Sequence, residues 1–141
     1  MIARTVETPN VFAFEPAKQA GCRILIVEDQ MLIALSLADA VLALDATPVV
    51  ASRVAKAVAF AVSEPFDAAI VDMNLAGEPA DAVLDALSAR DIPIVITTGY
   101  GVKAITEKYR GLPLLAKPYT AEQIEAALLN LLAPCKLARS A

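Results

Sequence analysis

The sequence predicts an α/β fold: a doubly wound, five-stranded parallel sheet with helices on both faces. Three observations carry that reading. Short β-rich runs alternate five times with longer helical stretches between residues 23 and 132. Two of the strand runs, Ile24-Leu25-Ile26-Val27 and Ile94-Val95-Ile96, are unbroken apolar segments, as expected where both sheet faces are covered. The length, 141 residues, suits one domain.

In chain order the expected elements are strand Arg23–Val27, helix Met31–Leu44, strand Thr47–Ala51 and helix Arg53–Val62. Strand Ala68–Val71, helix Pro79–Ala89 and strand Ile94–Thr97 follow. A short helix near Val102–Arg110, strand Leu114–Ala116 and helix Ala121–Leu132 complete the series. Thr120-Ala121-Glu122-Gln123 has the form of a capping box opening the last helix. Pro79 suits a first helical turn, where its missing N–H costs nothing. Gly111 and Pro113 stop the short fourth helix. In the first helix the only polar side chains, Ser36 and Asp39, fill a stripe about 60° wide that also contains Leu32. The apolar arc exceeds one core contact, so it serves either extra burial beneath an N-terminal arm or a docking or dimer face. Residues 1–20 read as that arm, broken by Pro9, Asn10 and Pro16 yet carrying Phe12 and Phe14. The domain proper spans 21–134, with a short tail over 135–141.

Composition excludes several classes of function. With 12 basic and 16 acidic residues the net charge is −4, which disfavours nucleic-acid binding. There is no histidine, so Ser–His and Cys–His nucleophile pairs, His-ligated zinc and a histidine phosphodonor role all fall away. Mean hydropathy is high at +0.58. Even so, the longest nearly apolar run, Met31–Leu44, has 14 residues and contains Asp39, short of the ~20 needed for a membrane span. Cys22 and Cys135 lack Cys-x-x-Cys spacing and are expected as two unpaired thiols. The first residues show no signal-peptide pattern, and a cytoplasmic location is expected.

In a doubly wound sheet, ligands bind outside the carboxyl ends of the strands. Strand one ends in Glu28 and Asp29, strand three in Asp72, strand four in Thr98 and strand five in Lys117. Any one of these could be a cap or a solvated turn charge. Five suitable groups at four strand ends form a joint signal. Three carboxylates in proximity need a counter-charge. Oxygen-only ligands without His or Cys select Mg²⁺. A cation on one side, with Lys117 and Thr98 on the other, would neutralise the charge of a transferring phosphoryl group. Asp72, alone on the central strand, is the expected nucleophile.

Val27-Glu28-Asp29, Val71-Asp72-Met73-Asn74-Leu75-Ala76-Gly77, Ile96-Thr97-Thr98-Gly99-Tyr100-Gly101 and Lys117-Pro118-Tyr119 together resemble the motifs of response-regulator receiver domains. The resemblance runs from about Cys22 to Ala133. It implies the flavodoxin-like receiver fold, with strand order 2-1-3-4-5. It implies that Asp72 accepts a phosphoryl group from a phosphohistidine of a sensor histidine kinase or histidine phosphotransfer protein. Glu28, Asp29, Asp72 and the Asn74 carbonyl would arrange Mg²⁺, Thr98 and Lys117 would bind phosphoryl oxygens, and the Lys117–Pro118 bond would be cis. Two features depart from the common pattern. Leu114 stands where an aromatic switch residue is usual, and Ala76 where proline is usual. Pro93-Ile-Val-Ile-Thr-Thr-Gly-Tyr100 partly resembles a Pro-Phe-x-Phe-x-Thr-Gly-Tyr subgroup, often stand-alone receivers of alphaproteobacteria. Tyr100, between Gly99 and Gly101, becomes the candidate switch residue.

The resulting expectation is a non-enzymatic, single-domain response regulator acting as a phosphorylation-controlled protein–protein switch on an unknown downstream target. The competing readings are a phosphate sink or relay shuttle, and a binding module independent of phosphorylation. A flavodoxin-like FMN protein is disfavoured because no Thr/Ser/Gly-rich phosphate loop follows strand one, and nucleotide-binding glycine motifs are missing.

Overall fold

The computed structural model describes residues 21–101, 103, 105–133 and 135. The expected arm over 1–20, with Phe12 and Phe14, and the tail beyond Cys135 lie outside the described residues.

The chain runs β1 (Arg23–Val27), α1 (Met31–Ala43), β2 (Thr47–Ala51), α2 (Val54–Ser63) and β3 (Ala68–Asp72). A two-stranded ribbon follows, β4 (Asn74–Leu75) and β5 (Glu78–Pro79), then α3 (Asp81–Ser88) and β6 (Ile94–Thr98). A 3₁₀ turn (Glu107–Tyr109), β7 (Leu114–Ala116) and α4 (Ala121–Leu131) end the series. The main sheet has order β2-β1-β3-β6-β7, all parallel, which is the 2-1-3-4-5 order expected.

Alternation along each strand sends neighbouring side chains to opposite faces. Leu25, Val27, Ala69, Val71, Ile94 and Ile96 meet Ala57 and Ala61 of α2 and Val83, Leu84 and Leu87 of α3. On the other face Ile24, Ile26, Ile70 and Val95 meet Leu37 and Val41 of α1 and Ile124 and Leu128 of α4. Both faces are therefore dry, which accounts for the unbroken apolar strands. In register, Ile26 pairs with Ile70, Val71 with Ile96 and Asp72 with Thr97, so the polar strand ends finish level at one edge.

α4 opens on the expected capping box: Thr120 Oγ1 accepts from the Gln123 N–H, and Gln123 Oε1 accepts from the Thr120 N–H. α2 has no side-chain cap and no basic residue in its last turn. Arg90, just beyond α3, donates from Nη1 to the carbonyls of Ala61 (2.6 Å) and Glu64 (2.7 Å) instead.

Three expectations need correction. Pro79 lies in the ribbon rather than in a helical turn, and α3 begins two residues later. The ribbon turns through Ala76 and Gly77, both at positive φ (51° and 89°), the two-residue geometry that fits right-handed strand twist. Of the helix expected near 102–110, residues 102 and 104 lie outside the described residues, and the rest shows 3₁₀ geometry, at Lys103 and in the turn Glu107–Tyr109, rather than an α-helix. There Ile105 and Tyr109 are buried, while the Thr106 hydroxyl donates to Asp81 and the Tyr109 hydroxyl to Asp85, so bonds to α3 fix the segment. Finally, Cys22 and Cys135 are not free thiols. They form a disulfide with their Cα atoms 6.4 Å apart. The 113-residue separation hid this: α4 runs back along the sheet, and its end arrives where β1 begins. No helix among the described residues is long and apolar enough to cross a membrane.

Candidate functional site

Each expected site residue stands at or just beyond the carboxyl end of a sheet strand or in the ribbon that follows. Glu28 and Asp29 follow β1, Asp72 ends β3, Thr98 ends β6 and Lys117 follows β7. Glu28, Asp72 and Thr98 are buried, although they bear polar or charged groups. Lys117 is the cation between them. Its Nζ lies 3.1 Å from Asp72 Oδ2 and 3.2 Å from Glu28 Oε1. Both bonds reach across long stretches of chain, so the parallel register assembles the cluster.

The three carboxylates are close enough for one ion. Glu28, Asp29 and Asp72 each offer an oxygen, all within 4.8 Å of one another. Lys117 pairs with two of them, and Asp29 makes no ion pair among the described residues. A second positive charge therefore fits the site, and an all-oxygen donor set matches a hard divalent cation. Backbone donors hold the carboxylates in place: Gln30 N–H to Glu28 (3.2 Å), Asn74 N–H to Asp72 Oδ1 (3.2 Å) and Ala76 N–H to Asp29 Oδ2 (3.1 Å).

Burial pushes the Glu28 carboxyl up to about 7, and the charge of Asp72 adds to that rise. The Gln30 N–H and Lys117 oppose it without cancelling it. For Lys117, burial works against the charge. The hydrogen bond and charge of Asp72, with the charge of Glu28, outweigh burial and hold the ammonium above its ordinary value.

Asp29, Asp72, Thr98 and Lys117 border a cleft of about 410 Å³ that also includes Gln30, Asn74, Ala76, Gly77, Gly99 and Tyr100, while Glu28 is buried and does not line it. Thr98 Oγ1 accepts from the Tyr100 N–H at 3.0 Å, leaving the hydroxyl hydrogen to donate elsewhere. Tyr100 itself is 73% exposed at the rim, with Gly101 beside it at φ 77°. Asn74 Oδ1 accepts from the Gly77 N–H at 2.9 Å, and the Lys117–Pro118 peptide is cis. Leu114, at the usual aromatic position, is partly buried against the β6 side of the core.

Sequence reasoning missed Ala76 as an Asp29 donor. No residue-type signal marks a backbone N–H, and only the tight ribbon turn brings it across. It also missed an apolar groove of about 460 Å³ between α1 and the segment after β7, lined by Leu32, Ile33, Ser36, Lys117, Pro118 and Tyr119.

Parallel order, an acidic cluster and a bridging lysine define a class of signalling domain, and comparison with known proteins agrees. No family model matches the chain. It is 44% identical to SdrG from Sphingomonas melonis Fr1, with a TM-score of 0.70 over 80% of this chain and 98% of SdrG. It is 28% identical to the REC domain of the response regulator PhyR from Erythrobacter litoralis, TM-score 0.70, covering 80% of this chain and 91% of that domain. The receiver domain of the Pseudomonas aeruginosa PAO1 sensor histidine kinase PA1611, which holds magnesium in its active site cleft, shares the fold. That match has 21% identity, TM-score 0.70, and covers 80% of this chain and 98% of that one. The acid tolerance regulatory protein ActR of Rhizobium meliloti (strain 1021) is 34% identical over 114 residues, 76% of this chain. The chain spans only 58% of ActR's length. The chain belongs to the response-regulator receiver domains of two-component signalling.

Proposed function

We propose that this receiver takes a phosphoryl group onto Asp72 from a phosphohistidine of a kinase or phosphotransfer partner and thereby switches a protein–protein interaction in the cytoplasm. The carrying observation is Lys117 bridging Asp72 and Glu28 within a three-carboxylate cluster of which Asp29 and Asp72 line one open cleft.

Glu28, Asp29, Asp72 and the Asn74 carbonyl are the groups that would hold Mg²⁺, which supplies charge neutralisation at the phosphoryl oxygens when bound. An Asp72 carboxylate oxygen attacks phosphorus, the P–N bond to the partner's imidazole breaks, and an acyl phosphate forms. Lys117 Nζ turns from the free carboxylate to the bound phosphoryl group, and the Thr98 hydroxyl donates to another phosphoryl oxygen. The domain turns over no substrate of its own in this reading. The groove beside α1 opens next to Lys117, and with exposed Leu32 (83%) it offers the phosphodonor an apolar seat. Use of the same face by a second copy would appear as a dimer in sedimentation.

The Tyr100–Thr98 bond supports the switch reading over a phosphate sink. Whatever pulls the Thr98 hydroxyl moves a backbone bonded to it, with glycines on both sides of Tyr100. Intact mass after treatment with a small phosphodonor and Mg²⁺ tests the acceptor: one phosphoryl mass on wild type, none on Asp72→Ala. No gain on wild type defeats the proposal. Beryllofluoride-induced amide shifts between Thr98 and Gly111 test the switch, and unchanged shifts leave only the sink.

A further inference from the structure

At the edge of the sheet opposite the cleft, Cys22 and Cys135 join the start of β1 to the chain just beyond α4. Their surroundings differ. Cys22 is fully buried in the apolar cluster with Ile24, Leu128 and Leu132, whereas Cys135 is partly exposed and packs against that cluster from outside. The bond thus joins a fully buried residue to one at the border of the core. The core also extends well beyond it. Both sheet faces are already covered by continuous apolar clusters, and α4 is seated independently by Ile124 and Leu128. A domain with a full core of its own does not depend on a cystine as small secreted scaffolds do.

We infer that Cys22–Cys135 is a reversible redox modification site, which clamps the end of α4 to β1 when oxidised and releases it when a dithiol reduces it. The step balances as a thiol–disulfide exchange. A thiolate of the dithiol attacks Sγ of Cys135, the less buried of the two residues, and the S–S bond breaks with Cys22 leaving as thiolate, which takes a proton. The second thiol of the donor then displaces Cys135 from the mixed disulfide. Two electrons and two protons pass to the protein, giving two S–H groups, and the donor closes into its own disulfide.

Release acts on α4 alone. Among the described residues beyond Leu132 (Ala133 and Cys135), the chain end is held by the disulfide, by the packing of Cys135 on the apolar cluster and by N–H bonds from Cys135 to the Leu132 carbonyl (2.7 Å) and from Ala133 to the Asn130 carbonyl (3.5 Å). The capping box at the other end of the helix and the carboxylate cluster are untouched by the exchange.

Alkylation with mass readout, thermal unfolding and amide hydrogen exchange on the whole chain test this. Protein prepared without reductant takes up no alkylating agent, and after a small dithiol it takes up two per chain. The reduced form still unfolds cooperatively, with a midpoint lower by about 5 °C or more. Exchange over residues 121–133 rises about tenfold on reduction by local opening. Cys135→Ser behaves as the reduced form and no longer responds to dithiol. Two alkylations without reductant would remove the bond itself. Loss of cooperative unfolding on reduction would make the cystine a structural necessity, and unchanged exchange in α4 would show that nothing is released; either result overturns the inference.

Discussion

The two ends of the sheet obey opposite rules. At the carboxyl end of the strands, four polar or charged residues are buried and, among the described residues, one cation answers three carboxylates. At the amino end, apolar packing, a disulfide and the hydrogen bond from the Thr47 N–H to the Cys22 carbonyl close the structure. One end stores unfavourable desolvation that a ligand can relieve, and the other supplies the rigidity that keeps those groups in place. Changes at the first end should alter chemistry with little loss of fold. Changes at the second should alter stability with little loss of chemistry.

The largest test of that division is Lys117→Met. Removing the bridging ammonium should lower the Asp72 phosphorylation rate by about 10²–10³-fold, the scale of losing one charge-stabilising donor, measured by mass against time at fixed phosphodonor and Mg²⁺. Far-ultraviolet circular dichroism should be unchanged. Next is Leu128→Ala beneath α4, expected to cost about 2–5 kcal/mol in denaturant unfolding, while the rate per folded molecule stays at wild type. A variant at Leu128 that lost phosphorylation while still folded would break the contrast.

Protons probe the polar end without mutation. The folded-state pKa of Glu28 is raised from 4.5 to about 7, so between those values the folded chain holds a proton that the unfolded chain has lost. The contribution of Glu28 to stability in a chelator should be complete below about pH 4.5 and be lost as pH rises to about 7, an effect on the order of a few kcal/mol. Urea midpoints across that range check it. Glu28→Gln should remove this component of the slope, and Mg²⁺ should restore stability more at pH 8 than at pH 5. The smallest effect expected is at the ribbon: Ala76→Gly relieves a left-handed backbone and should stabilise by about 1 kcal/mol.

Much of this was readable from sequence, for physical reasons. Strands buried on both faces must be apolar throughout, so Ile24–Val27 and Ile94–Ile96 announced themselves, and a parallel sheet aligns strand ends, so Glu28, Asp72, Thr98 and Lys117 could be gathered without coordinates. The Thr120–Gln123 box marks its helix start because the signal is local. What failed was non-local or carried by the backbone. The pairing of Cys22 with Cys135 depends on where α4 ends in space. Proline is compatible with a strand end as well as a helical first turn, so Pro79 could not announce the ribbon. The segment before Arg110 is set by Asp81 and Asp85 on another helix, which no helical pattern encodes.

Arg90 carries a last consequence. α2 has no basic residue in its last turn to answer the negative pole of its dipole, and the guanidinium that bonds the Ala61 carbonyl and the Glu64 carbonyl just beyond it belongs to the chain after the next helix. A helix whose terminator is encoded nearly thirty residues later is complete only once α3 has docked and brought Arg90 back. The two helices on that face are thereby linked at their ends as well as along their sides: loosening the chain after α3 withdraws donors from the end of α2.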